Sequence, residues 1–374
     1  MLSRVSFKTG GLKLDKNLIL FCNALSISNK ATVAIIEFFS DYKSLIENID
    51  QIKEIKGLDK RISERILKNR DFDLKSYMER VRRLGVQITF IGDEDYPVNL
   101  NYIEDPPLML YYLGNLQKDD MFGIAMVGSR KCTSYGAWAC KEIARDLSRN
   151  GIPIISGLAY GIDKISHETS LENKNRTIGV IGNGIDVIYP NTHRDLYERV
   201  SRNGAVVSEY PLGTTPKNYN FPYRNRIISG IGQGVVVVEA MKKSGTLITA
   251  NYALDQGKDV FAIPGNINSF YSLGTNALIR EGAKIVTQVD DILEDIICPM
   301  ETKNNEEIII KLEDPTENDI INILLNTPCT SDIISDQLGI AVEDINATLT
   351  KLEMKGYVTE EMGGIFYPIV RKEW

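Results

Sequence analysis

From Met121 to about Ile297, short continuous apolar runs alternate with longer segments whose apolar residues recur at helical spacing. Ile124 to Val127, Ile152 to Ile155, Ile178 to Ile181, Ala205 to Val207, Val235 to Val238, Val260 to Ile263 and Ile285 to Val286 are too short for helices. Their unbroken hydrophobicity suits strands buried on both faces. Tyr135 to Arg149, Thr192 to Val200 and Thr246 to Gln256 read as the intervening helices. Strand, helix and strand in repeated succession predict an α/β fold, a Rossmann-like, doubly wound parallel sheet. Such sheets take their ligands beyond the carboxyl ends of the strands, where the strand order reverses.

The flanking segments have different patterns. Residues 1–104 read as a helical module without strand alternation, SAM-like or helix-hairpin-helix-like. Within it, Ile52 to Ile66 predicts a helix, a tight turn at Gly57 and a second helix bearing Ile62 and Ile66. Such a turn can offer backbone N–H groups to a phosphate, although an ordinary helical hairpin has the same pattern. Pro97 and Asp105-Pro106-Pro107 mark a connection, placing a boundary near residue 105 and a core domain over 105–299. Residues 300–314 form an acidic linker, in which Glu301 to Asp314 carry five acids against Lys303 and Lys311. In 315–374, helices at Ile320 to Leu325, Ser331 to Leu338 and Val342 to Met354 precede two strands, Tyr357-Val358 and Ile365 to Pro368, turning at Gly363-Gly364. Three helices and a hairpin make a winged helix.

Composition narrows the function classes. With 43% hydrophobic and 25% charged residues the chain is an ordinary globular protein. MLSRVSFKTGGLKLDK has no signal-peptide apolar core and no run approaches 18 apolar residues, so a cytoplasmic location is expected. Five dispersed cysteines without a C-x-x-C imply neither a disulfide framework nor a zinc site, and no cofactor or metal is called for. A net charge of -7 argues against indiscriminate nucleic-acid binding, so an anionic strand must meet a local patch.

Pro216 to Gly230, PKNYNFPYRNRIISG, is such a patch. Lys217, Arg224 and Arg226 flank Tyr219, Phe221 and Tyr223, and the stretch contains no acid. Cations matched to phosphates and rings matched to bases are what a single strand requires. Pro222 fits the first turn of a helix, whose unpaired N–H groups also favour an anion. Glycine-rich loops follow the predicted strands: Gly128-Ser129-Arg130-Lys131 ahead of Thr133, Ser156 to Asp163, Gly182-Asn183-Gly184, and Lys243-Ser244-Gly245-Thr246. They let backbone N–H groups approach a phosphate, and the helices after them add their positive ends. Neither a Walker loop nor a G-x-G-x-x-G after the first strand is present, which disfavours ATP hydrolysis and NAD binding. Asp163 and Glu239 stand at strand ends, where a carboxylate can act, cap a helix or hold an arginine.

GSR at 128–130, SGLAYGID at 156–163, FPYRNRIISG at 221–230, SGTLITANYALDQGKDVFAIPG at 244–265 and GTNALIREGA at 274–283 resemble, in order, the motifs of the DNA-processing protein A family (DprA, or Smf). The layout is similar too, with a helical module before the core and a winged helix after it. The resemblance implies a non-enzymatic homodimer that binds and protects single-stranded DNA in natural transformation and loads the RecA recombinase onto it. By motif it implies a phosphate pocket with Arg130 beside Gly128, Ser129 and Lys131. Phe221 would stack on a base, and Arg224, Arg226 and Lys217 would bind the strand. Ser244, Gly245 and Thr246 would line the same pocket.

Phosphoribohydrolases of the Lonely Guy type share this fold and supply the alternative, a nucleotide-binding sensor or nucleotide-processing enzyme. Their P-G-G-x-G-T run is followed by paired glutamates, where this chain has Ile248 and Thr249. Loss of both carboxylates removes the general acid or base. The winged helix is expected to contact protein rather than duplex DNA: residues 315–374 hold ten acids and four bases, and an acidic face repels phosphates.

Overall fold

A computed structural model describes residues 14–296, 314–326, 329–355, 357–361 and 365–368. The chain divides into two compact units, 1–300 and 301–374. Most of the linker expected over 300–314 lies outside the described residues, as do the Gly363-Gly364 turn and Arg371 and Lys372.

In the first unit nine strands share one sheet: β1 (Gln87–Phe90), β2 (Met109–Gly114), β3 (Ile124–Val127), β4 (Ile154–Ser156), β5 (Thr177–Ile181), β6 (Ala205–Ser208), β7 (Gly234–Val237), β8 (Asp259–Ala262) and β9 (Lys284–Ile285). Their order is β1-β2-β6-β5-β4-β3-β7-β8-β9. From β6 to β9 every pairing is parallel, whereas β1 pairs antiparallel with β2 and β2 antiparallel with β6. The two antiparallel strands correct the expectation of a purely parallel sheet and a strandless first hundred residues. The boundary expected near residue 105 falls between β1 and β2, which are hydrogen-bonded partners.

Among the described residues five helices precede β1: α1 (Lys16–Ala24), α2 (Asn29–Phe39), α3 (Tyr42–Glu47), α4 (Lys60–Lys68) and α5 (Leu74–Arg83). Each starts at an Asp or Ser whose side chain accepts a backbone N–H of the first turn. In the predicted hairpin, a 3-10 stretch over Ile49–Glu54 takes the place of the first helix, Gly57 turns at a φ of 79°, and α4 follows. Six more helices interleave with the later strands: α6 (Ser134–Arg149), α7 (Ile162–Glu172), α8 (Arg194–Asn203), α9 (Asn220–Ile231), α10 (Gly245–Asp255) and α11 (Leu273–Arg280), with α12 (Asp290–Leu293) after β9.

The period of two along a strand divides the core. Ala125, Val127, Val235 and Val237 face Ile227, Ile228 and Ile231 of α9 and Ala250 and Ala253 of α10. Their neighbours Ile124, Met126 and Val236 face Ala139, Cys140, Ile143 and Leu147 of α6. A further layer packs the N-terminal helices on Met109 and Tyr111 of β2 and on Leu196 and Val200 of α8. No helix among the described residues is long and apolar enough to cross a membrane.

The second unit has α13 (Pro315–Asn326), β10 (Cys329–Thr330), α14 (Ser331–Leu338), α15 (Val342–Met354), β11 (Val358–Glu361) and β12 (Ile365–Pro368), the strands ordered β10-β12-β11. Ile320, Leu324, Ile334, Ile345, Leu349 and Leu352 form its core. Buried Glu317 accepts from Lys355 at 2.7 Å and pairs with Lys351 at 2.6 Å. Both described bases of this unit are therefore committed, while Glu343, Asp344 and Glu353 of α15 stay exposed.

Candidate nucleic-acid interface

Strand order reverses between β3 and β7, since β4 to β6 lie on one side of β3 and β7 to β9 on the other. The loops after β3 and β7 must diverge there, and they leave a groove of about 520 Å³ roofed by the first turns of α9 and α10. Nine of the eleven sequence-predicted residues line it: Gly128, Ser129, Arg130 and Lys131, then Phe221 and Arg224, then Ser244, Gly245 and Thr246. Arg130 and Lys131 are exposed, as is Lys243, a third cation on the wall. Lys217 is exposed but outside the lining, with its Nζ 5.8 Å from the Tyr219 ring centroid, while the adjacent Asn218 lines the groove.

The helix ends differ in what they can offer. Thr133 caps α6, and the buried Glu239 carboxylate accepts from the Thr133 backbone N–H at 2.9 Å and from its hydroxyl at 2.5 Å. The positive end of α6 is thus already neutralised from within, contrary to the expectation that this helix serves an anion. At α10 the Ser244 hydroxyl accepts from the Thr246 N–H at 3.2 Å. α9 has no side-chain cap and no acid in its first turn, so its N-terminus and that of α10 are the ones presented at the groove.

Phe221 is held between a cation and a ring. Its centroid lies 5.6 Å from the Arg130 guanidinium carbon and 5.6 Å from the Tyr189 ring. Behind it, Tyr160, Tyr189 and Asn183 enclose a cavity of about 20 Å³, enough for water and too small for a base.

The two arginines of the FPYRNR segment have other primary contacts. Arg224 is buried, and its guanidinium donates to the carbonyls of Gly157, at 3.1 Å, and Val180. Burial lowers its pKa to about 10, with the Asp163 charge opposing that shift. Asp163, raised by its own burial, accepts from the Gly157 N–H at 3.2 Å. It thereby anchors the loop after β4 at the groove floor. Arg226 lies outside the groove lining: it is 3% exposed, donates to Glu209 at 2.7 Å, approaches Asp105 at 3.5 Å and sits 4.1 Å from the Tyr223 ring centroid. The helical period gives the reason. Positions 221, 224, 225 and 228 share one face of α9, and residue 226 is turned about 200° from residue 224. That spacing was legible beforehand. Tyr189 and Tyr271 were not, because only tertiary folding brings them beside Phe221 and Ser244.

Residues 87–297 match the family model described as DNA recombination-mediator protein A. The chain belongs to this family. Residues 310–364 match the DprA winged helix domain. Protein Smf of Synechocystis is 32% identical over 83% of this chain and 87% of its own length. DNA processing protein DprA of Streptococcus pneumoniae is 45% identical over 54% of this chain and 72% of its own length. An X-ray structure of DprA from that organism superposes with a TM-score of 0.65 at 36% identity, covering 76% of this chain and 99% of that one. A structure of Helicobacter pylori DprA, a protein with a single-stranded DNA binding mode, has a TM-score of 0.51 at 29% identity over 56% of this chain and 98% of that one.

Proposed function

We propose that the groove binds single-stranded DNA, and that the protein protects incoming strands and loads the RecA recombinase onto them in natural transformation. What carries the reading is convergence. In an acidic chain, Arg130, Lys131 and Lys243, the ends of α9 and α10, and the Phe221 ring meet at one open site at the strand-order reversal. The single-stranded DNA binding mode of the H. pylori relative supports the same ligand. Phosphates are held by the three lysine and arginine side chains and by N–H groups around Ser129 and Gly245, with Lys217 at the margin. Phe221 gives a base its stacking surface. Arg224 acts from below, ordering the loops rather than reaching out.

No catalytic role is assigned. The carboxylates of Asp163 and Glu239 are both engaged by protein hydrogen bonds. RecA loading and a homodimer with two grooves on one strand rest on family likeness. Bivalence would raise apparent affinity by about 10² to 10⁴. Sedimentation equilibrium tests the dimer, and RecA filament assembly on single strands with and without the protein tests loading.

Fluorescence anisotropy with a labelled single strand is the direct test. Arg130→Ala and Phe221→Ala are each expected to weaken binding more than tenfold, and a duplex of equal length to bind more weakly than the strand. Three to four neutralised phosphates predict a slope of log K against log salt of roughly -2 to -3. Tight binding of a free nucleotide without strand affinity would instead support the nucleotide sensor or enzyme.

Gly245 separates fold from function. Its φ is ordinary and a Cβ there would meet no atom within 4 Å, so packing does not require glycine. Gly245→Ala should therefore keep or raise stability, by up to about 1 kcal/mol from helix propensity. The methyl group would still crowd a phosphate at the α10 end and reduce strand affinity severalfold. Unchanged affinity would place the phosphate elsewhere.

A further inference from the structure

Beside the groove, on the β8 side, lies a surface of unusual composition. Tyr135 and Trp138 on the first turns of α6 are exposed, Trp138 at 60%, with ring centroids 6.0 Å apart. The Tyr135 hydroxyl donates to the Pro264 carbonyl at 2.7 Å, which ties α6 to the loop after β8. That loop exposes Phe270 at 75%, and its next residue, Tyr271, lines the groove. Tyr271 of the groove wall is thus preceded in the chain by exposed Phe270, and the same loop is tied through Pro264 to the pair Tyr135 and Trp138.

Charge distinguishes this surface from an ordinary apolar patch. Residues 128–141, 240–254 and 264–276, the segments that build it, contain no Asp or Glu, in a chain with 50 of them. They do contain Arg130, Lys131, Lys141, Lys242 and Lys243, all exposed. Of the bordering acids, Glu142, one turn from Trp138, is committed to Arg145 and buried Glu239 to Thr133, which leaves a cationic and aromatic surface suited to a polyanion with stacking faces and continuous with a groove of the same character. A patch meant for another apolar protein surface would have no need to exclude carboxylates from three separate segments.

We infer that single-stranded nucleic acid leaves the groove across this rim, with bases stacking on Trp138 and Phe270 and phosphates near Lys131 and Lys141. The inference rests on the proposed groove function and extends it from a short pocket to a directed path from the β5 side to the β8 side.

The chain has two tryptophans, Trp138 and Trp374, so a Trp374→Phe variant leaves Trp138 as sole reporter. A thymidine strand of about twenty nucleotides should quench its fluorescence, while one of about four, filling the groove alone, should not. Trp138→Ala with Phe270→Ala should weaken the long strand roughly fivefold or more and leave the short one unchanged, whereas Arg130→Ala weakens both. Long-strand binding that depends on Arg130 but does not quench Trp138 would overturn the rim and leave the groove standing. So would intact long-strand affinity in the double variant, and a fall in oligomeric state would then mark the rim as a contact between copies. No strand binding to the full chain by anisotropy would overturn both readings together.

Discussion

Arg226→Ala is expected to destabilise the first unit by roughly 3–5 kcal/mol, the usual result of removing one partner from a buried ion pair. Arg226 is the charge that compensates Glu209, at the end of β6, and Asp105, ahead of β2. Glu209 also binds the N-terminal layer: its side chain accepts from Asn29 of α2 at 2.9 Å and its carbonyl from Asn23 of α1 at 2.9 Å. Without the guanidinium, two carboxylates remain at a seam between helices and sheet. The loss should appear in urea unfolding, and Glu209→Gln in the same chain should restore at least half of it by removing the uncompensated charge. The folded fraction of Arg226→Ala should bind single strands within about twofold of the parent, since a side chain remote from the strand leaves the phosphate-contact term intact. If stability were intact and strand affinity lost, Arg226 would belong to the interface as its motif suggested.

That contrast shows how far local sequence reaches. FPYRNR announces cations and rings, but charge counting along the chain cannot reveal that one arginine has its acid seventeen residues upstream, just past the end of β6. Arg130 and Lys131 were readable because they stand in a glycine-rich loop between a buried strand and the N-cap Thr133, within the GSR motif. β3 to β8 were readable because burial on both faces demands unbroken apolar runs. β1 was not, because QITF at the sheet edge has one fully buried residue in four and carries too little pattern. MLYYLG of β2 is apolar enough, but it follows two prolines and precedes no crossover helix, so a strand-helix-strand template passes over it. Glu239 was correctly placed just past a strand end, whereas Asp163 lies in the first turn of α7, seven residues beyond β4. Their work as a cap and a loop anchor depended on Thr133 and Gly157 being brought to them.

Acidification below pH 6.5 should weaken the fold by about 1.4 kcal/mol per pH unit through one residue, His167 on α7. Its side chain is 0% exposed, with Nδ1 2.7 Å from the Thr177 hydroxyl oxygen. That hydroxyl gives its one proton to the Ile154 carbonyl at 2.8 Å, so Nδ1–H is the donor to Thr177. Nε2 is then the unprotonated nitrogen, and it makes no hydrogen bond. A proton there would create a cation in a fully buried site. Burial, with the nearby charges of His193 and Arg224, pushes the pKa down to about 3, the Ser156 carbonyl offsetting only part. An unfolded chain takes up this proton near pH 6.5 and the native state does not until about pH 3. The unfolded state therefore binds more protons throughout that window, and stability falls with pH, by about 4 to 5 kcal/mol across its whole width. Carboxylates add their own titration in the lower half, so the decisive range is pH 6.5 to 5. His167→Leu gives up the Thr177 hydrogen bond, about 1 kcal/mol at every pH, and should lose this part of the slope. Its unfolding free energy, about 1 kcal/mol below the parent's near neutrality, should meet the parent's near pH 6 and exceed it by about 1 kcal/mol at pH 5. Parallel curves for the two proteins over that range would show that His167 accepts its proton in the native state after all.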